Sequence, residues 1–500
     1  MKILYSFIFL LLIVFRVYSE ENMSAERVIE TLNQANLLYQ VGEIEKAANE
    51  YKKIVNFSKD LKKDEKLRMA KVFSWTGNFK EALILLNSLY EENPEDIEIA
   101  LVYARTLSWN REFEKSLKIL DKILEKEPQN IDALLIKANI YRWQGDISKS
   151  IYFYEKIFSL DPNNFDAKVS YGYALLSLEK RKELINLINS VEPKYSYQEK
   201  DYKDLKNSYL NKFNPALSFG YSYYHDSDHN NIERLLSQFS FWLDNYKFTF
   251  DYKEHFARGS IVSLNGTEYS VSISNRVDPK VDWSAYLGSI RVSNSKSKDF
   301  IIGGLSTNIK IDKDLIGLTF NSRLLTDTSF LLDRNIRLSS LSLFLNHYVS
   351  DKINIYFSFS PRFYSDGNSA LFLQFAPIYK ITSTNPSLSV GYRIIYLTFK
   401  DHKMNGYFDP KDYISNQIFF PVYFEGDKLT FYFEPYVGQQ SFKRYGNDFN
   451  DTIIGFFSTI EYKIGERLYL GGSIEGGNYS LGTASGWKYY LIGINLKYIF

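Results

Sequence analysis

A chain of 500 residues is longer than one ordinary hydrophobic core needs, so two or three domains are expected. Its 60 basic and 59 acidic side chains leave a formal charge of +1, which argues against the basic face that nucleic-acid binding requires. With no cysteine, the chain can form no disulfide, thiolate metal site, cysteine nucleophile or lipidated N-terminal cysteine.

The N-terminus reads as an export signal. Lys2 gives a positive start, Ile3 to Phe15 is an almost unbroken apolar run, and Val17-Tyr18-Ser19 offers small residues where signal peptidase reads. Cleavage after Ser19 makes residues 1–19 a signal peptide; an uncleaved anchor is the alternative. No later stretch approaches the ~20 apolar residues of a membrane-spanning helix, so any later span must be built from strands.

From residue 22 to 212 the pattern is helical and repeats. Pro94, Pro128 and Pro162 are 34 residues apart, as are Ala70, Ala104 and Ala138, and Trp75, Trp109 and Trp143. That is the period of the tetratricopeptide (TPR) repeat, a pair of antiparallel helices. The alanines, with Ala82, Ser116 and Ser150 on the second helices, fall where helices touch. Gly77 and Gly145 fit the turns, and each proline closes a repeat. Ala35, Gly42, Ala47 and Tyr51 belong to an earlier repeat in a register one residue longer. Gly172 opens a degenerate fifth repeat that shortens before Pro193, and 195–210 reads as a polar capping helix.

At residue 214 the period changes to 2 and stays so to residue 500. Leu217, Phe219, Tyr221 and Tyr223 alternate with small or polar residues, as do Ile353-Ile355-Phe357-Phe359 and Leu429-Phe431-Phe433. About sixteen such segments predict a closed antiparallel transmembrane β-barrel. Tight turns at 244–245, 278–279, 312–314, 350–352, 384–386, 426–427 and 465–467 alternate with mostly longer polar loops, the longest from Lys400 to Lys411. Short turns would be periplasmic, and the loop around Met404 would face outside. A soluble β-sandwich also shows period 2; a propeller would need an internal repeat of ~40 residues, and none is found here. The fold class is thus a TPR superhelix followed by a barrel of about 16 strands.

Chemistry has few places to live. The five histidines, His225, His229, His255, His347 and His402, are scattered through the barrel half. His225-Asp226-Ser227-Asp228-His229 could chelate a cation but reads much more readily as a solvated polar loop. No metalloprotease, nucleophile-elbow or phosphate-loop motif occurs, so no catalytic residue, metal or cofactor is expected. Trp75, Trp109 and Trp143 end the first helices of three repeats, beside Lys71, Arg105 and Asn139. They form either a stacking track for sugar rings or inter-repeat core. Alternation turns Asp251, Tyr356, Arg362, Arg393, Tyr432, Glu434, Tyr436 and Glu475 into the lumen, with Lys247, Lys253, Glu461 and Lys497. Lipid-facing charge at mid-bilayer costs roughly 2–4 kcal/mol, so a wet interior is expected.

The repeats Leu107-Ser108-Trp109-Asn110-Arg111-Glu112-Phe113 and Tyr141-Arg142-Trp143-Gln144-Gly145-Asp146 resemble those of TPR-containing outer-membrane exopolysaccharide exporters. That group includes cellulose synthase operon protein C, the poly-N-acetylglucosamine exporter and YaiO-type barrels. Gly406-Tyr407-Phe408-Asp409-Pro410-Lys411-Asp412-Tyr413 is similar to a G-Y-[YF]-S-P-x-x-Y stretch late in the cellulose-type barrel, with Asp409 in place of Ser. The terminal strand, with Tyr498 and Phe500 on one face, resembles the sorting signal read by the barrel assembly machinery. The resemblance implies a non-enzymatic export channel in the outer membrane and its lipid, with a periplasmic TPR domain. Its partners would be a polysaccharide and periplasmic or inner-membrane glycan synthesis proteins. The alternative is a general porin or surface-structural barrel whose repeats dock a protein.

Overall fold

The computed structural model describes residues 24–293, 298–382, 384–403, 405–444, 446–478 and 488–500. The predicted leader and Met404 lie outside the described residues. The chain divides into two compact units, Met1–Tyr171 and Gly172–Phe500.

The first unit holds helices α1 (Ala25–Gln40), α2 (Ile44–Ile54), α3 (Lys63–Trp75), α4 (Phe79–Glu92), α5 (Ile97–Trp109), α6 (Phe113–Lys126), α7 (Ile131–Trp143) and α8 (Ile147–Leu160), and the start of α9 (Phe165–Ser177). Three successive repeats begin with the same device. Asp96 accepts the Ile99 N–H at 3.2 Å, Asn130 that of Ala133 at 2.9 Å and Asn164 that of Ala167 at 3.0 Å. Each such cap contributes about 1 kcal/mol. The turn inside a repeat needs one left-handed residue, and the chain supplies Gly77 (φ 74°), Arg111 (φ 62°) and Gly145 (φ 78°). Small side chains let the helices approach: Ala70, Ala104, Ala138, Ala82, Ser116 and Ser150 are all fully buried. The Ser116 hydroxyl donates to the Ala104 carbonyl at 2.7 Å, so it is satisfied inside that interface. A buried tyrosine closes two of the repeats, Tyr51 donating to Asn36 and Tyr154 to Asn139, each at 2.7 Å. Burial pushes the Tyr51 hydroxyl up to about 12.

The second unit opens with the rest of α9, then α10 (Arg181–Asn189) and α11 (Ser196–Phe213). Gly172 lies within α9 rather than at its start, at the repeat position of Ala138. A Cβ there would lie 2.6 Å from a Leu205 methyl, so α9 and α11 touch through the missing side chain. The strands that follow are β1 (Ala216–Asp226), β2 (Asn231–Leu243), β3 (Tyr246–Arg258), β4 (Ser263–Asp278), β5 (Val281–Val292), β6 (Lys298–Ile311), β7 (Asp314–Leu324) and β8 (Arg337–Tyr348). They continue as β9 (Ile353–Tyr364), β10 (Ser369–Lys380), β11 (Ser387–Phe399), β12 (Lys411–Phe419 and Val422–Glu425), β13 (Leu429–Arg444), β14 (Asn447–Lys463), β15 (Leu468–Gly477) and β16 (Tyr489–Ile499). Pro421 interrupts β12 because it has no N–H for the ladder, yet both halves pair with β11 and β13 and count as one strand.

Each strand pairs antiparallel with the next, and β16 returns to β1 from Ala216↔Ile499 to Asp226↔Tyr489. The result is a closed barrel of sixteen strands with no free edge. Its outer face carries exposed Phe219, Leu235, Phe250, Leu287, Ile301, Phe320, Ile394 and Ile494, the apolar surface of a membrane-spanning barrel. No described helix is long and apolar enough to cross a membrane. Seven hairpin turns, with both chain ends of the barrel, define one rim, here the turn end; the other is the loop end.

At the loop end the expectation of polar loops over a wet lumen is corrected. The 325–336 connector is as long as the 400–411 one, and it contains a short helix, α12 (Ser329–Arg334), capped by Thr328. Leu331 and Leu332 of α12 are fully buried. Leu332 packs against inward-facing Ile232, Ala257 and Ile290, and Leu331 against Ile395, Leu397 and Phe399. Tyr407 and Phe408 of the 400–410 connector join the second cluster. Two connectors therefore fold into the barrel and meet apolar wall. The lumen faces of β2, β5 and β11 turn apolar there because they pack rather than face water.

Candidate functional site

In the helical array, the three tryptophans are the last residues of α3, α5 and α7, and each leaves its ring half outside. Trp75 is 50 % exposed, Trp109 36 % and Trp143 42 %. Trp75 stacks on Tyr39 and Trp143 on Phe113, with centroids 6.3 and 6.4 Å apart, so one face of each ring is backed by protein. The polar neighbours are engaged within the scaffold. Lys71 donates to Glu98 at 2.6 Å, Arg105 makes the equivalent bond to Asp132 at 2.7 Å, and the Asn139 carbonyl accepts from Tyr154. The two ion pairs bridge neighbouring repeats and the Asn139–Tyr154 bond joins the two helices of one repeat, so these groups fix the ladder more than they offer free donors.

In the barrel, cross-strand pairing turns all eight expected pore-lining residues inward but scatters them. Arg393, Tyr432 and Glu434 come together: Arg393 pairs with Glu434 at 2.6 Å, and the Tyr432 hydroxyl donates to the same carboxylate. The Arg393 guanidinium also lies 4.1 Å over the Phe419 ring, a contact favoured by the ring's negative face. Glu434, Phe457 and Glu475 form one row across β13, β14 and β15, and Glu475 accepts from Tyr489 at 2.6 Å. Tyr436 sits one inward step along β13, with its hydroxyl at the bare backbone of Gly455. Elsewhere, Tyr356 stacks on Phe344, Arg362 lies 4.7 Å over Phe372, and Asp251 accepts from Gln238 at 2.7 Å. These three belong to other walls.

The Gly406–Tyr413 stretch forms much of the plug. Tyr407 is fully buried, its ring 4.6 Å from that of Tyr364, and its hydroxyl donates to Asp366 at 2.7 Å while accepting from Asn368 at 3.0 Å. Phe408 packs edge-on to Phe442. The buried Asp409 carboxylate receives the Lys403 N–H at 2.7 Å and lies 2.8 Å from His402 Nδ1. A Cβ on Gly406, at φ +91°, would fall 2.4 Å from the Phe330 ring, so the two connectors touch there. The motif alone does not specify the inward fold; the apolar run Phe330-Leu331-Leu332 inside a loop is the signal in the sequence.

His225-Asp226-Ser227-Asp228-His229 forms a tight turn locked by its own acid. Asp226 accepts from the Asp228 and Asn230 backbones at 3.0 and 3.1 Å, and His225 contacts Asn231 at 2.9 Å. At the closure, the Phe500 N–H donates to the Pro215 carbonyl at 2.9 Å and Tyr498 packs edge-on to the Phe500 ring.

Residues 76–140 and 132–164 match family models described as tetratricopeptide repeat. No curated protein matches the chain. Among solved structures, a bacterial polysaccharide outer membrane secretin shares 12 % identity at a TM-score of 0.48, covering 57 % of this chain and 98 % of that one. CdiB from Acinetobacter baumannii shares 9 % at 0.35, covering 57 % and 60 %. A tetratricopeptide repeat protein from Parabacteroides merdae shares 16 % at 0.31, covering 36 % and 71 %. Likenesses of this size bear on neither activity nor ligand. What stands is an N-terminal TPR array followed by a closed sixteen-strand barrel.

Proposed function

We propose that the chain is an outer-membrane conduit for a secreted polysaccharide, with periplasmic repeats that guide the polymer or dock the proteins that make it. The observation that carries this reading is the half-exposed tryptophan ladder. Packing alone would bury an indole; three left open at one repeat position, with Trp75 and Trp143 each backed by an aromatic ring, offer flat apolar faces at regular intervals. Pyranose rings present apolar C–H faces that suit such a surface. Each contact is worth on the order of 1 kcal/mol, by comparison with aromatic pairs. Three on a rigid scaffold add through effective concentration without a site tight enough to stall a moving chain. In the lumen, Tyr432, Glu434, Tyr436 and Glu475 supply hydrogen-bonding groups on neighbouring strands. No reaction is catalysed; the folded-in connectors make the described state a resting one.

A second reading, a porin with a protein-docking module, draws on Lys71 and Arg105. Their donors are held by Glu98 and Asp132, which leaves the ladder short of free polar groups for a sugar. One experiment separates the two. The Trp75→Ala, Trp109→Ala, Trp143→Ala chain is expressed in cells; helix melting, folded barrel and surface glycan are then measured. Loss of glycan with normal folding is expected. Normal glycan on a normally folded triple variant would remove the track and favour the docking module.

A further inference from the structure

At the turn end of the barrel, where α11 leads into β1, the inner wall and the last turn of α11 enclose a cavity of about 230 Å³. Its wall is set by register. Lys497 lies opposite Ser218, Ser218 opposite Gln238, and Gln238 opposite Asp251, in one row across four strands. Lys247 faces the same cavity from nearer the rim, opposite Trp242, and Asn211 and Lys212 close it from the helix. Trp242 fixes the helix by donating its indole N–H to the Lys212 carbonyl at 3.0 Å.

The charges there do not balance. Lys212 is tied to Glu179 at 3.1 Å, and Asp251, which accepts from Gln238, is the second carboxylate, so three ammonium groups stand against two carboxylates. Lys247 and Lys497 make no ion pair with any described residue, although Lys497 lies 5.7 Å from the Tyr469 ring. Three other inward cations are held by carboxylates: Lys253 by Glu268 at 2.8 Å, Arg393 by Glu434 at 2.6 Å and Arg234 by Asp327 at 3.5 Å. Two ammonium groups facing one small cavity repel each other and lose hydration, a cost that an incoming anion relieves. Ser218, Ser240 and Asn495 add hydrogen-bonding groups beside them.

We propose that this cavity binds an oxyanion substituent, carboxylate or sulfate, carried on the sugar chain that passes through, so that the exported polymer is an acidic polysaccharide. The inference rests on the conduit reading above and names its substrate class. A neutral glycan would gain nothing from two unpaired lysines. An acidic one would be drawn to the mouth and held by charge-assisted hydrogen bonds, which are stronger than neutral ones.

The test uses the purified full chain in a non-ionic detergent, titrated calorimetrically with a short oligogalacturonate, a malto-oligosaccharide of equal length, and sodium sulfate. The oligogalacturonate should bind, more weakly as salt rises, and the malto-oligosaccharide should not. Lys247→Gln with Lys497→Gln should lower oligogalacturonate affinity at least about tenfold, the scale of one lost bond to a charged group. The matching pair of Lys→Arg changes should retain it, and heat-modifiable migration reports that each variant folds. Undiminished binding by the double Gln variant, or equal binding of the neutral sugar, overturns the proposal. So does binding of sulfate alone, which would mark a free-anion site. Deleting the whole chain separates the two levels of argument. Unchanged surface glycan would sink the conduit reading itself, whereas lost glycan with no oligogalacturonate binding sinks only the acidic assignment.

Discussion

The two units solve the problem of aromatic surface in opposite ways. In the array, apolar side chains point into a core whose closest approaches are set by alanine and serine. Of the aromatics left outside, Trp75, Trp109 and Trp143 share one repeat position, and Tyr152 stands apart from them on a second helix. In the barrel, apolar side chains point outward along every strand, and those turned inward gather at the loop end around Leu331, Tyr407 and Phe408. An exposed aromatic is thus ordinary on the barrel wall, where lipid covers it, and informative on the array, where nothing of the kind does. Conversely, a buried apolar cluster is ordinary in the array and informative inside the barrel.

The largest expected effect breaks the barrel side of that comparison. If the inward connectors hold the lumen shut, replacing 401–409 with a short Gly-Ser linker should raise single-channel conductance in planar bilayers many-fold. The gentler Tyr407→Ala, which removes a ring stacked on Tyr364 and a hydroxyl bonded to Asp366, should produce frequent openings. Conductance unchanged in both would mean that the plug does not control the path.

On the array side, Ala104→Leu and Trp109→Ala should part company. Ala104 is fully buried against the second helix of its own repeat, where Ser116 bonds to its carbonyl. A larger side chain there should cost roughly 1–3 kcal/mol and lower the helical melt followed by circular dichroism. A half-exposed Trp109 should matter much less, below the roughly 3–5 kcal/mol of a fully buried aromatic. Equal destabilisation by the two would return the tryptophans to the core.

How much of this was legible depended on whether the signal was local. The 34-residue spacing of Pro94, Pro128 and Pro162 and the alternation from Leu217 onward are properties of neighbouring residues, and they located both architectures. The caps Asp96, Asn130 and Asn164, each two residues past a repeat proline, are equally local. The inward fold of 325–336 and 400–410 was not local. It depends on Leu331 and Leu332 meeting walls from strands far apart in sequence, and Ile395-Leu397-Phe399 looked like any other strand face. Lys247 and Lys497 could be turned inward by alternation. That they make no ion pair with a described residue while Lys253 and Arg393 do follows only from register around the closed barrel.

Asp96 combines two effects that one residue change can separate. It caps α5 through the Ile99 N–H and pairs with Lys63 at 2.5 Å, and that bond, with the cap, holds its carboxyl below the usual range. A carboxyl depressed by folding stabilises the array above its unfolded pKa, and that contribution is lost as pH falls through the folded value. Asp96→Asn keeps a capping oxygen but removes the charge. It should flatten the loss of array stability on acidification, because the contribution of the charge is then already missing at neutral pH. Asp96→Ala loses the cap as well and should be about 1 kcal/mol less stable than the Asn variant at every pH. A melt of the Asn variant as pH-sensitive as that of the unaltered chain would show that the pair contributes nothing.

The smallest effect comes from the repeat turn, where the array's own regularity makes the prediction. Gly77, Arg111, Gly145 and Glu179 stand 34 residues apart, all with φ between 58° and 74–78°. Two of the four therefore hold a side chain in a conformation that costs an L-residue roughly 1–2 kcal/mol. Glu179 has a use for its side chain, the ion pair with Lys212 beside the proposed anion site. Arg111 makes no ion pair with any described residue. Arg111→Gly should relieve the strain, offset in part by the greater freedom of glycine in the unfolded chain, for a net gain of roughly 0.5–1 kcal/mol. That would raise the helical melt by roughly 1–4 °C for a domain of this size. Glu179→Gly, relieving the same strain, should gain less because it also releases Lys212, leaving a third cation at the mouth without a partner. A drop in stability for Arg111→Gly would mean that its side chain is held by something outside the array, and a docked periplasmic protein would be the first place to look.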